Sequence, residues 1–185
     1  MRVTARSSLH TIAFLVGDAL HRAGIRAVLT GGSCACIHTD GDYQSRDIDF
    51  VLQSTPDVTA LDEVMATLGY RRDGARYVHS RSPFFVEFPP GPLAVGTDHR
   101  LRPVMLRLGN TKTAALSPTD SCRDRLAAFY HWNDRPSLMA AVQIARRRRV
   151  DMKLIERWSR AEGAAEKFHE FKRTLERVDK GPRRR

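Results

Sequence analysis

No stretch of this 185-residue sequence approaches the roughly 18–20 uninterrupted apolar residues that a membrane-spanning helix needs, so no membrane partner is expected. Cysteine is scarce. Cys34 and Cys36 are two apart, Cys122 is distant, and there is no CxxC pair. That excludes a disulfide framework and a cysteine zinc site. The opening residues Met1–Arg6 lead into no apolar segment with a small-residue cleavage site, and His10 and Asp18 interrupt the first helical stretch. A secretory leader is therefore not expected, and the chain reads as cytoplasmic. Internal repeats and low-complexity tracts are absent. So is a Walker loop, because no Lys-Ser/Thr follows the only glycine pair at the required spacing. No Ser/His/Asp arrangement suggests a nucleophilic triad. His38, His79, His99 and His131 lack zinc spacing and read as structural or surface histidines.

Hydrophobic residues make up 42% of the chain, enough for a core. The net charge of +10 is unevenly spread. Residues 1–92 carry 9 Lys/Arg and 10 Asp/Glu, whereas residues 93–185 carry 22 and 11. A basic second half favours a polyanionic partner, since each phosphate contact releases counterions.

Hydrophobic spacing gives an alternation of elements. Leu9, Ile12, Ala13, Val16, Ala19 and Leu20 predict an amphipathic helix stopped at Gly24. Residues 26–30 read as a strand ending at Gly31-Gly32-Ser33, residues 33–38 as a short helix and residues 47–52 as the clearest strand. Pro56-Asp57 opens a helix with Val58, Leu61, Val64, Met65 and Leu68 on its apolar face. Residues 70–72, 77–79, 84–88, 104–108 and 113–116 are strand candidates. From Ser117 the texture becomes helical, with a helix opening at Ser117-Pro118-Thr119-Asp120 and later helices near 136–148, 151–162 and 164–178. Trp158, Ala161, Ala165, Phe168, Leu175 and Val178 are expected to form the seam of the last two. The expected class is α/β (α+β). Residues 1–116 form the core, 117–180 a basic helical region and 181–185 a disordered tail.

The informative stretch is Leu29-Thr30-Gly31-Gly32-Ser33, thirteen intervening residues, then Asp47-Ile48-Asp49-Phe50. Side chains two apart on a strand share a face. Asp47 and Asp49 therefore project together while Ile48 and Phe50 enter the core. Two carboxylates at about 4.5 Å repel by roughly 4 kcal/mol at an effective dielectric of about 20. A divalent cation, Mg²⁺ or Mn²⁺, removes that cost, and hard oxygen ligands suit it. Glu87 lies in the apolar run Phe84–Phe88, where a charge is otherwise unwelcome. If its strand neighbours that of Asp47, three acids meet and can serve metal-assisted phosphoryl displacement. Gly31 and Gly32 allow a sharp strand-to-helix bend, so that backbone amides and the Ser33 hydroxyl face a triphosphate. Tyr130-His131-Trp132 reads chiefly as core packing, with base stacking as the alternative. Arg146–Arg149 reads either as a solvated helix end or as an RNA phosphate contact.

This pattern of a glycine bend, Asp-x-Asp and a later acid resembles the nucleotidyltransferase fold of the DNA polymerase β superfamily. Asp124-Arg125-Leu126, followed by Asn133-Asp134, is similar to the helical segment of bacterial AbiEii/MenA-type toxin nucleotidyltransferases. That family carries a lysine where this chain has Arg125. The resemblance implies a mixed sheet flanked by helices, followed by a C-terminal helical bundle. It also implies transfer of a nucleoside monophosphate from an NTP to an acceptor hydroxyl, with pyrophosphate released. Asp47, Asp49 and Glu87 would hold the metals, with Glu87 assisting deprotonation. Gly31, Gly32, Ser33, Arg46, Arg125 and Asp134 would serve the nucleotide. The acceptor would be tRNA or another RNA, and a toxin-like context would add a cognate antitoxin. Modification of a partner protein or small molecule, and a non-catalytic nucleic-acid-binding module, are the competing readings.

Overall fold

A computed structural model describes residues 3–54 and 57–180. The chain alternates as α1 Leu9–Arg22, β1 Ala27–Thr30, α2 Gly31–His38, β2 Asp47–Leu52, α3 Val58–Thr67, β3 Tyr70–Asp73, β4 Arg76–His79 and β5 Phe85–Glu87. Then follow β6 Val104–Leu108, β7 Thr111–Ala115, α4 Pro118–Trp132, α5 Arg135–Arg147, α6 Met152–Ala161 and α7 Ala165–Lys180. The seven strands make one mixed sheet in the order β3-β4-β5-β2-β1-β7-β6. β2 pairs with β5, and β1 with β7, in parallel; the remaining neighbours are antiparallel. The fold is the expected α+β arrangement, a helix-flanked mixed sheet followed by C-terminal helices.

Local chemistry accounts for the boundaries. Ser8 caps α1 by accepting from the Thr11 amide, Asp57 caps α3 through Thr59, and Ser117 caps α4 through Asp120, with Pro118 in the first turn. Gly24, at φ +74°, follows α1 in the left-handed region. One hydrophobic core runs across residue 116. Ile48, Phe50 and Val86 of the sheet belong to it with Leu126, Phe129, Ile144, Phe168 and Phe171 of the later helices.

Several packing expectations change. Val58 is 58% exposed, because it opens α3 beyond the reach of the sheet, and only Leu61 and Met65 of that helix are buried. Ala161 and Ala165 are exposed, while Phe171 is fully buried in the α7 seam. Tyr130 packs inside, stacked on Trp158 with its hydroxyl 2.8 Å from that of Ser159, but Trp132 projects from the helix end with 78% exposure. Pro56 and the tail 181–185 lie outside the described residues. Among the described residues no helix is long and apolar enough to cross a membrane. The three cysteines are buried and free.

Candidate active site

The site is built on β2. Ile48 and Phe50 are completely buried, so the alternating Asp47 and Asp49 are turned to the opposite, half-open face. Parallel pairing with β5 sets Asp47 beside Phe85, Ile48 beside Val86 and Asp49 beside Glu87. Val86 is buried with Ile48, which turns Glu87 to the face of the aspartates. The three acids, 38 residues or more apart between the strands, therefore share one surface. Asp49 registers the crowding. Burial, then the charges of Asp47 and Glu87, push its pKa up from 3.8 to about 7.

Asp49 is also held from behind. Gly31 takes φ +63°, and a Cβ placed on it would fall 2.2 Å from Asp49 Oδ2. Only glycine combines that backbone with so close a carboxylate. α2 starts at this bend with no side-chain cap on its N-terminal amides, which leaves a helix N-terminus beside the acids.

Ser33 differs from expectation. It is wholly buried; its hydroxyl donates to the Thr30 carbonyl at 3.1 Å and accepts from the Asp49 amide at 3.3 Å. Both interactions tie the bend to β2, so the hydroxyl is occupied inside the protein and is not directed at a phosphate. The hydroxyl that does reach an acid belongs to Ser45, which donates to Asp47 Oδ1 and sits over Gly32. Arg46, next in the chain, is exposed.

α4 closes the other side. Arg125 is nearly buried, with 15% of its side chain exposed, and its Nε and Nη2 donate to Asp124 Oδ2 at 3.0 and 2.7 Å. Burial works against its charge, but Asp124, with Tyr43, more than offsets this and its pKa is raised. Arg125 stands close enough to Asp49 to favour the ionised carboxylate, and Asp124 acts in the opposite sense. Asp134 does not reach the acids. It accepts from Ser137, whose hydroxyl lies 3.4 Å from Arg125 Nη1, so it supports the guanidinium at one remove.

Sequence reading missed Ser45, Asp124 and Arg76. Asp124 had a signal, its adjacency to Arg125. Arg76 had none, because only the β4–β5 register sets it directly across from Glu87. Its guanidinium lies 5.1 Å from the Phe85 ring centroid, on the same face.

The arginine run has a local role. Arg147 pairs with Asp42 and Asp40, Arg148 with Asp40 at 2.5 Å and Arg146 with Asp179 at 2.9 Å. The end of α5 thus fastens the loop that leads from α2 into β2. His38 is buried with Nε2 2.9 Å from the Leu116 carbonyl, and the His79 ring accepts from the Arg81 amide.

The donor set suits a hard cation: three carboxylates, one of them pushed towards protonation by burial and by the charges of the other two. The acids are neighbours without closing into a cage, and among the described residues no three His, Cys, Asp or Glu side chains form a group able to hold an ion by themselves. No protein-family model and no curated protein matches the chain.

Proposed function

We propose that the chain is a metal-dependent nucleotidyltransferase that moves a nucleoside monophosphate from an NTP to an acceptor hydroxyl and releases pyrophosphate. The observation that carries this reading is the pairing of Asp49 with Glu87 in register on β2 and β5, with Asp47 on the same face. Asp47, Asp49 and Glu87 are the residues that would hold Mg²⁺, the substrate phosphates completing the shell. The ion would supply charge neutralisation where the phosphoryl group transfers.

The chain's own groups divide the remaining work. The acceptor oxygen attacks the α-phosphorus, the bond from that phosphorus to the bridging oxygen breaks, and pyrophosphate leaves with the electron pair. Glu87, at the edge of the cluster, takes the acceptor proton. The uncapped amides of α2 and the buried Arg125 provide positive potential for the triphosphate. Asp134 orients Arg125 through Ser137, and Ser45 fixes the Asp47 carboxylate. The excess of cations in residues 93–185 supports RNA, including tRNA, as acceptor. A toxin-like setting with an antitoxin rests on the family resemblance alone.

The test is incubation of the chain with each α-labelled NTP, Mg²⁺ and total cellular RNA or total protein, beside Asp49→Asn. Label in RNA that disappears in the variant is the expected result. Label on protein alone would keep the chemistry and overturn the RNA acceptor. No transfer to either would overturn the reading.

A further inference from the structure

A cavity of about 650 Å³ lies against α4, and none of the three acids of the candidate active site lines it. Arg123 and Arg125 are two residues apart, so their side chains leave the helix about 200° apart. Arg125 faces Asp49, while Arg123 faces a hollow between the 97–100 loop and α6, lined also by Asp98, His99, Arg100, Arg157 and Trp158.

Arg123 is the largest fully buried side chain among the described residues, with 2% exposure. Its Nη1 donates to Asp120 at 2.9 Å and its Nη2 to Asp98 at 2.7 Å, while its Nε–H has no acceptor. Burying a guanidinium with an unanswered N–H is costly, and such a group is unusual in a native fold. The Trp158 ring, 5.0 Å from the guanidinium carbon, holds it in place. The facing loop is equally fixed. Thr97 donates to Glu162 from its amide at 2.9 Å and its hydroxyl at 2.8 Å, and Gly96 at φ +58° allows Glu162 to approach. The walls carry the guanidiniums of Arg100, Arg123 and Arg157; Arg123 is paired with Asp98 and Asp120, Arg100 lies 3.9 Å from Asp98, and Arg157 brings a further positive charge. Arg100 and Arg157 are exposed at the rim.

We propose that this hollow is a binding site for a phosphate group, separate from the three acids of the sheet, with Arg123 at its base and Arg100, Arg157 and His99 at its mouth. Guanidiniums match phosphate geometry and hold it by charge-assisted hydrogen bonds. The phosphate is either free or the terminal group of a polynucleotide, and the site stands independently of the nucleotidyl-transfer reading.

The test follows the fluorescence of Trp158 in full-length Trp132→Phe protein, without divalent ions. Inorganic phosphate and a 5′-phosphorylated trinucleotide are titrated separately. A saturable change is expected that weakens at least tenfold in the Arg100→Ala/Arg157→Ala double variant, whose substitutions are at exposed positions. It should persist in Asp49→Asn, which separates this site from the three acids. Tighter binding of the trinucleotide would assign the phosphate to a polynucleotide end; equal binding would assign it to free phosphate. No saturable change with either probe, or a change that the double variant leaves intact, would overturn the proposal.

Discussion

A Cβ built on Gly31 would stand 2.2 Å from Asp49 Oδ2, so the bend after β1 and the central carboxylate of the site fit together only through the missing side chain. Gly31→Ala must therefore meet both a left-handed φ of +63° and a displaced carboxylate. It is expected to cost about 1–3 kcal/mol of stability and to abolish transfer. Gly32→Ala, at an ordinary helical φ, meets the Ser45 hydroxyl at 2.8 Å and its Cβ at 3.2 Å, so the serine must shift slightly and loosen its bond to Asp47. It should cost about 1 kcal/mol or less. Denaturant midpoints of the two variants measure the contrast.

Asp49 gives the metal-free protein a pH signature. Folding raises its pKa from 3.8 to about 7, through burial and then Asp47 and Glu87. The native chain thus keeps a proton that the unfolded chain releases. The stability this confers is complete below pH 3.8 and is lost as pH rises towards 7. Chelator-treated protein should lose on the order of a few kcal/mol from this group across that window. Asp49→Asn should flatten the slope and be the more stable form at pH 8, as urea denaturation at a series of pH values will record.

Arg125 should act in two separable ways. Arg125→Ala leaves Asp124 half-enclosed without its partner and should cost roughly 3 kcal/mol. It also removes a positive charge that favours ionised Asp49, so the midpoint of the pH effect should move upwards. Asp124→Asn should move it downwards. Arg125→Lys keeps the charge but not the paired donors to Asp124. It should retain most of the stability and raise the KM for NTP more than it lowers kcat.

The arginines at the end of α5 are expected to contribute little to global stability. Their pairs with Asp40 and Asp42 are substantially exposed, and such pairs contribute about 0–1 kcal/mol each. Arg147→Ala with Arg148→Ala should change the midpoint slightly, yet speed hydrogen exchange in residues 39–46, the segment that they fasten.

Strand alternation made Asp47, Ile48, Asp49 and Phe50 legible, because a period of two determines which residues face the core. Capping made the start of α4 at Ser117 legible for a similarly local reason. The neighbour of Asp49 required long-range pairing. Glu87 could be suspected only as a charge in an apolar run, and Arg76 not at all, since its place comes from the β4–β5 register. The Ser33 hydroxyl was misdirected because a strand-to-helix bend leaves it two outlets, a ligand or its own backbone, and the Thr30 carbonyl and Asp49 amide take it. Helical spacing marks Ala161 and Ala165 as seam residues, yet both are exposed, and Phe171 of α7 is fully buried.

In the proposed reaction, Glu87 shares a cation with the two aspartates. Mn²⁺ titration followed by electron paramagnetic resonance, with an NTP analogue that resists cleavage between the α- and β-phosphates, tests this directly. Saturable binding to the wild-type chain is expected, weakened at least tenfold in Glu87→Gln and lost in Asp49→Asn. Equal Mn²⁺ binding by all three proteins would contradict it.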